Sequence, residues 1–241
     1  MFPLKALRAV LPIALLVLPV TAFAKHVHKD DPRLTPLMNA ARQNNLARVR
    51  TLLTNGVDVK AKTVDGETAL YEAIERLDLK ADNLPVVDAL LNAGADPNET
   101  ETYGLSALII SLTREYANPA VTMRLLQAGA SVPRDCGEGD SLVSLATQES
   151  SLEVMRALIE RGAPVNCSYR GASALFLAAI NGQTDRVQLL LQSGANPTIR
   201  VDGKTLLEAA TCTNPDRRVQ ADFEQTRRII KAALESTSPS K

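Results

Sequence analysis

The stretch LLTNGVD, residues 52–58, recurs four times in similar form along the chain. The later copies are LLNAGAD at 90–96, LLQAGAS at 125–131, LIERGAP at 158–164 and LLQSGAN at 190–196. Their glycines stand 38, 35, 33 and 32 residues apart. A period in this range is typical of arrays in which each repeat is one pair of short helices.

A second motif opens each repeat. It reads TPLMNAA from Thr35, GETALYEAI from Gly66, GLSALIISL from Gly104, DSLVSLA from Asp140, GASALFLAAING from Gly171 and GKTLLEAAT from Gly203. In the first copy Leu37, Ala40 and Ala41 fall at positions i, i+3 and i+4, which gives a short helix one apolar stripe. Because neither helix of a pair can hide its stripe alone, stacked repeats must bury one another's faces.

Together these motifs resemble the ankyrin repeat, whose unit is written roughly G-x-T-P-L-H-x-A-A, then a second helix ending in L-L, then G-A-D-x-N. The resemblance implies an all-α, ankyrin-like helical repeat solenoid of about six helix-loop-helix units with short hairpin-like loops. It covers a single domain at 34–235. The units are expected at about 34–62, 63–99, 100–134, 135–167, 168–200 and 201–235.

Hydroxyl side chains mark the start of most first helices. They stand where they can cap the helix, at Thr35, Thr68, Ser106, Ser173 and Thr205. The motif glycine of each repeat is expected to end the second helix in a left-handed conformation.

The chain departs from the family pattern in several places. The family's histidine is replaced by Met38, Tyr71, Ile109, Val143, Phe176 and Glu208, so packing is expected in place of a polar ladder. Extra residues are expected at about 77–84 and near 116–119. A polar insertion is expected around 211–222, before a last helix that contains Arg227, Arg228 and Lys231 and caps the solenoid.

The amino terminus has the pattern of a secretory signal peptide. Lys5 and Arg8 precede an uncharged apolar stretch at 9–20, and residues 22–24 read Ala-Phe-Ala, which matches a small-residue cleavage site. A membrane anchor is the alternative reading, but the uncharged run of 16 residues at 9–24 is shorter than a bilayer-spanning helix and contains two prolines.

We therefore expect residues 1–24 to be removed and the protein to be periplasmic or secreted, with no membrane segment after cleavage near Ala24. Residues 25–33 and 236–241 are expected to be disordered tails. Removing Lys5 and Arg8 leaves 25 basic residues against 27 acidic ones. That balance argues against nucleic-acid binding, which needs a basic surplus on one face.

The residue inventory also argues against catalysis. Both histidines, His26 and His28, lie in the expected tail, so the repeat body has no histidine for a nucleophile pair or a metal site. The glycines follow the repeat period and form no phosphate-binding loop. We predict no catalytic residues, no cofactor and no metal in the repeat domain. A weak copper or zinc site formed by the two tail histidines is the alternative to a solvated tail.

Three cysteines remain in a compartment that permits disulfides. Cys136 and Cys167 fall in the loops of consecutive repeats, so a disulfide between them is geometrically possible, and two separate thiols are the alternative. Cys212 lies between the helices of the last repeat and is expected to be unpaired.

Resemblance to the family makes the loop tips and first helices the default surface for binding another protein. The exposed candidates are Lys62, Val64, Asp65, Glu67, Glu75, Arg76, Thr102, Tyr103, Leu105, Arg114, Tyr169, Arg170, Ala172, Asn181, Arg200 and Val201. Tyr103, Tyr169, Arg170 and Arg200 are the preferred anchors, because Tyr and Arg dominate interface hot spots. A solvated loop side chain is the alternative for each of them.

Three function classes remain. The first is a non-enzymatic periplasmic protein-binding module, acting either as an immunity or inhibitor protein or as an accessory to a stress enzyme such as a catalase. The second is a redox or metal-handling accessory that uses the tail histidines and a free thiol. The third is an enzyme, which the missing catalytic set argues against.

Overall fold

A computed structural model describes residues 31–75, 82–113, 118–136, 141–169, 172–211 and 217–237. The first helices of six pairs are α1 (Pro36–Arg42), α3 (Ala69–Glu75), α5 (Ala107–Thr113), α7 (Leu142–Glu149), α9 (Ala174–Ile180) and α11 (Leu206–Ala209). The second helices are α2 (Leu46–Thr54), α4 (Leu84–Asn92), α6 (Pro119–Gln127), α8 (Leu152–Glu160), α10 (Thr184–Gln192) and α12 (Arg217–Thr237).

The helices stack in two layers. Each first helix contacts the next first helix, from α1 against α3 through to α9 against α11. The second helices stack in the same way, from α2 against α4 through to α10 against α12. The predicted all-α repeat solenoid is confirmed. The part of the chain that the structure covers contains no helix with the length and apolarity needed to cross a membrane.

Two short antiparallel hairpins join successive repeats. The first pairs β1 (Ser168–Tyr169) with β2 (Ala172–Ser173), and the second pairs β3 (Arg200–Val201) with β4 (Lys204–Thr205). A single antiparallel bridge between Thr100 and Ser106 closes the corresponding loop of the third repeat. These are the short hairpin-like loops that the sequence predicted.

The same position of the repeat is buried in the core in each of the first five repeats. The residue two places after each first-helix cap is at most 1% exposed in the first five repeats, at Leu37, Leu70, Leu108, Val143 and Leu175. The repeats therefore bury each other's apolar stripes, as the helix spacing predicted.

The predicted hydroxyl caps are present. Oxygens of Thr35, Thr68, Ser106, Ser173 and Thr205 accept from the backbone N–H three residues later, at 3.2–3.4 Å. Ser141 caps α7 in the same way, through the N–H of Ser144 at 3.4 Å.

The alignment of the fourth repeat was wrong by one residue. Because Ser141 is the cap, Ser144 and not Val143 stands at the position of the family's histidine. Val143 instead takes the position of Leu37 and is fully buried.

Both ends of the solenoid differ from expectation. Asp31, inside the expected N-terminal tail at 25–33, and Leu34, just after it, are held by Asn39. The Oδ1 of Asn39 accepts from Asp31 N at 2.7 Å, and its Nδ2 donates to the carbonyls of Asp31 and Leu34. At the other end α12 begins at Arg217, inside the stretch expected to be a polar insertion. It continues to Thr237, two residues into the segment expected to be a tail.

The early start of α12 has a physical cause. Its buried face consists of Phe223, Thr226 and Ile230, spaced three and four residues apart as on one helix face. The polar residues around them conceal this pattern in the sequence.

Candidate functional site

Four loops at the start of the repeats form what we call the loop-tip surface, which consists of the described residues 62–67, 102–105, 168–169 with 172–173, and 200–205. Each loop lies between a second helix and the next first helix. The surface therefore joins successive repeats and combines residues far apart in the chain.

The first two tips are bonded to each other. Thr102 donates to the carbonyl of Asp65 through its backbone N–H at 2.8 Å and its hydroxyl at 2.7 Å. Gly66, with φ +81°, lies so close to the next loop that an added Cβ would stand 3.3 Å from the backbone of Glu101. Hydrogen bonds therefore join the two tips into one unit.

Glu101 shapes the second tip from inside. Its carboxylate accepts from the backbone N–H groups of Tyr103 at 2.8 Å and Leu105 at 3.0 Å, and the residue is only 7% exposed. This role was not predicted from the sequence, where a glutamate three residues before the loop glycine Gly104 is the one signal for it.

The two joined tips carry the exposed large apolar side chains of the described residues. Val64 is fully exposed and Tyr103 is 78% exposed. Lys62 and Asp65, both exposed, flank Val64. An apolar pair with a charged rim has the make-up of a protein contact surface.

The other predicted residues on these loops are more constrained. Lys62 pairs with Glu99 across the first two repeats. Glu67 is half-buried and accepts from the hydroxyl of Thr63 at 3.2 Å. Leu105 is half-buried and packs on the core.

In the C-terminal half, two of the predicted binding residues are exposed but bonded to a nearby carbonyl. Arg200 is exposed, and its guanidinium donates to the carbonyl of Gly203 at 2.9 Å within its own hairpin. Asn181 is exposed and ends α9, where its side chain donates to the carbonyl of Leu177 at 2.9 Å. The backbone of Tyr169 lies in β1. The predicted residues outside the described ranges are Arg76, Arg114 and Arg170, together with His26, His28 and Cys212.

A charged cluster on the first helices was not foreseen. Glu72 of α3 is 4% exposed, and its Oε2 lies 3.6 Å from Nε of Arg42 on α1. Arg42 also lies 3.7 Å from Asp31. Burial raises the pKa of Glu72 to about 7, against the opposing effect of Arg42.

This shift predicts a pH-dependent stability. The folded protein holds the Glu72 proton up to about pH 7 while the unfolded chain releases it near 4.5, so stability falls as pH rises between those values. Glu72→Gln should therefore stabilise the protein at pH 8 by about 2–3 kcal/mol more than at pH 4.5. Urea unfolding at both pH values measures this. The exposed Glu224→Gln is the control, and an equal effect of Glu72→Gln at both pH values would refute the prediction.

The structure joins Cys136 and Cys167 in a disulfide, with Cα atoms 5.3 Å apart. Cys136 is exposed and Cys167 is 5% exposed. The sequence left a disulfide and two separate thiols as alternatives, and the structure contains the disulfide. Across the described ranges no three His, Cys, Asp or Glu residues are grouped so as to hold a metal ion.

Comparison with known protein families agrees with the resemblance of the sequence motifs to the ankyrin repeat. A family model of ankyrin repeats in three copies matches residues 13–101 and 113–201. The B-cell lymphoma 3 protein homolog of Mus musculus is 30% identical over 197 residues, which is 79% of this chain and 43% of that protein. The mitochondrial disaggregase of Homo sapiens is 31% identical over 207 residues, 78% of this chain and 26% of that protein. The chain thus spans less than half the length of these relatives.

Solved structures share the fold over nearly their whole length. An ankyrin repeat domain from Acinetobacter baumannii AYE is 27% identical with a TM-score of 0.64, covering 83% of this chain and 97% of that one. A chain in the complex of a predatory endopeptidase from Bdellovibrio bacteriovorus with an immunity protein is 24% identical with a TM-score of 0.59, covering 85% and 99%.

Proposed function

This chain belongs to the ankyrin repeat family, a scaffold for protein–protein interaction, and from that premise we propose that it holds a partner protein on its loop-tip surface. The observation that carries the proposal is the exposed pair Val64 and Tyr103 on two tips that are bonded to each other. Because hydrogen bonds join the two loops that carry this pair, binding orders less backbone than it would for two separate loops, which favours binding.

The first-helix layer extends this surface. Ile109, Leu145 and Phe176 are half-buried on α5, α7 and α9. We propose that the partner is centred on Val64 and Tyr103 and extends from the tips along these helices, whose half-buried apolar side chains enlarge the apolar part of the contact.

We further propose that the protein works in the periplasm or outside the cell. Two features support this: the signal-like residues 1–24 and the Cys136–Cys167 disulfide, a bond that persists in oxidising compartments. Cell fractionation with mass spectrometry tests this: the chain should be recovered from the periplasm or the medium with residue 25 as its amino terminus. Recovery from the cytoplasm with Met1 intact would contradict it.

Two roles fit a binding module of this kind. An immunity or inhibitor protein should abolish its partner's activity at equal molar amounts, whereas an accessory to a stress enzyme such as a catalase should preserve or raise it. The exposed tip charges are mixed, Lys62 beside Asp65 and Arg200 beside Asp202, which gives no strong single-sign field for a highly charged target. A titration of partner activity separates the two roles.

The alternative is a redox or metal-handling accessory. It would use the tail histidines and Cys212, which all lie outside the described residues. Deleting residues 25–29 should leave partner binding unchanged if the loop-tip proposal is correct. Loss of binding on that deletion would favour the alternative.

The binding proposal predicts a loss that is confined to the tips. Val64→Ser with Tyr103→Ser should lower partner recovery in a quantitative affinity purification by about tenfold or more, because truncated hot-spot residues each cost roughly 2 kcal/mol. The control is Gln127→Ser with Gln188→Ser, two exposed positions on second helices. Equal recovery with both variants, each shown to be folded by circular dichroism, would refute the proposal.

A further inference from the structure

Asparagine side chains bridge successive repeats at two junctions. Asn98 donates to the carbonyl of Gly129 at 3.2 Å and accepts from the N–H of Ser131 at 2.7 Å. This ties the loop after α4 to the loop after α6.

The same bridge ties the loop after α8 to the loop after α10. Asn166 donates to the carbonyl of Gly194 at 2.9 Å and accepts from the N–H of Asn196 at 2.8 Å. In both bridges the asparagine stands four residues after the motif glycine of its own repeat. It bonds to the carbonyl of the motif glycine of the next repeat and to the N–H two residues after that glycine.

The junction between these two, from the loop after α6 to the loop after α8, cannot form this bridge. Its equivalent positions are Pro133, four residues after Gly129, and Pro164, two residues after Gly162. Pro133 has no side-chain amide, and Pro164 has no backbone N–H to donate. Both halves of the bridge are therefore missing.

The Cys136–Cys167 disulfide lies at this junction. Cys136 is three residues after Pro133, and Cys167 is three residues after Pro164. The side chain of Arg134 also lies against Gly162, since a Cβ added there would stand 3.4 Å from its Nε. The junction is thus held by a covalent bond and side-chain packing where its neighbours use an asparagine.

We infer that the disulfide takes the place of the asparagine bridge between the third and fourth repeats, and that it makes this junction sensitive to thiol reductants. Cys167 directly precedes β1, so the same bond holds the hairpin β1–β2 of the loop-tip surface. An effect of reduction on partner binding through this hairpin would rest on the proposed function. The redox sensitivity of the junction does not.

The reduction itself is an ordinary thiol–disulfide exchange with a dithiol such as dithiothreitol. Because Cys136 is exposed and Cys167 is buried, the attacking thiolate is expected to bond to Sγ of Cys136, and Cys167 leaves as a thiolate that takes up a proton. The second thiol of the reductant then closes on the mixed disulfide and releases Cys136. Two electrons and two protons reach the protein, and the dithiol becomes a cyclic disulfide.

Hydrogen exchange on the full mature chain tests the inference, with Cys212→Ser in every sample so that only the two bonded cysteines remain. Reduction should speed amide exchange at 161–169 by about tenfold or more, because the loop loses its tie to the preceding repeat. Exchange at 93–105, which the Asn98 bridge holds, should not change. The same rate at 161–169 before and after reduction, or an equal rise in both regions, would overturn the inference.

A redesigned junction provides the second test. Cys136→Ser with Cys167→Ser should show the fast exchange of the reduced protein at any dithiothreitol concentration. Adding Pro133→Asn and Pro164→Ser, which supply the residues found at the equivalent positions 98 and 131, should restore slow exchange that dithiothreitol does not affect. Failure to restore it while the wild-type junction responds to reduction would show that the disulfide is not a substitute for the bridge. Neither test uses a partner, so each is independent of the proposed binding.

Discussion

Replacing Leu190 with alanine should lower the free energy of unfolding by about 2–5 kcal/mol. Leu190 lies on α10 and is fully buried in the continuous core. Because α10 packs against α8, α9 and α12, closing the cavity left by the lost side chain would require all three of these contacts to shift. The cost is therefore expected in the upper part of the range for a leucine.

Urea unfolding followed by circular dichroism measures this effect. The neighbouring Leu191 is half-buried and provides a matched control, since Leu191→Ala removes the same atoms from a partly solvated place. Equal losses for the two variants would contradict the assignment of the buried face of α10.

Gly182→Ala should cost about 2–4 kcal/mol for two reasons that act together. Gly182 has a φ of +63°, which strains any other residue. A Cβ at this position would also stand 2.7 Å from two ring atoms of Phe223, closer than non-bonded carbon atoms pack, so the ring would have to shift. Phe223 belongs to the buried face of α12, so the clash should loosen the last helix, which Thr184 also holds through the carbonyl of Asp222 at 3.0 Å.

The two contributions can be separated. Gly194 has a φ of +85° and nothing within 4 Å of an added Cβ, so Gly194→Ala reports the backbone strain alone, about 1 kcal/mol. In a Phe223→Ala background the cost of Gly182→Ala should fall to that same level, since the clash is gone. If Gly182→Ala in the natural background costs no more than Gly194→Ala, the packing of α12 described above is wrong.

The sequence predicted the repeat well because the relevant signals are local and periodic. The motif glycines, the capping hydroxyls and the apolar stripes each depend on residues within one turn or one repeat, and the structure has them where expected. The error at Val143 arose where the motif begins with DSL in place of a glycine-led start, which left the register to be chosen by similarity alone.

The site was less predictable because it depends on contacts between repeats. The position of Glu101, three residues before Gly104, is the one sequence signal that its carboxylate turns back to hold Tyr103 and Leu105, and it is too weak to predict those contacts. The pairing of Glu72 with Arg42 joins residues 30 positions apart, and the tie between Asp65 and Thr102 joins residues 37 apart. Such pairs follow from the stacking of repeats, which must be known before the pairs can be identified.

The helical structure at the end of the solenoid was also not predicted from the sequence, for a physical reason. The polar stretch before Phe223 has the composition of a loop, and its helical state depends on the docking of Phe223, Thr226 and Ile230 against the preceding repeat. Tertiary packing here overrides a weak local preference.

The most direct test of the central claim, that the loop tips contact a partner protein, is site-specific photo-crosslinking in the native compartment. A photoreactive residue in place of Tyr103 should give a discrete adduct with one partner, whereas the same residue in place of the exposed Gln188 on α10 should give none. An adduct from position 188 and not from position 103, or the same adducts from both, would contradict the claim.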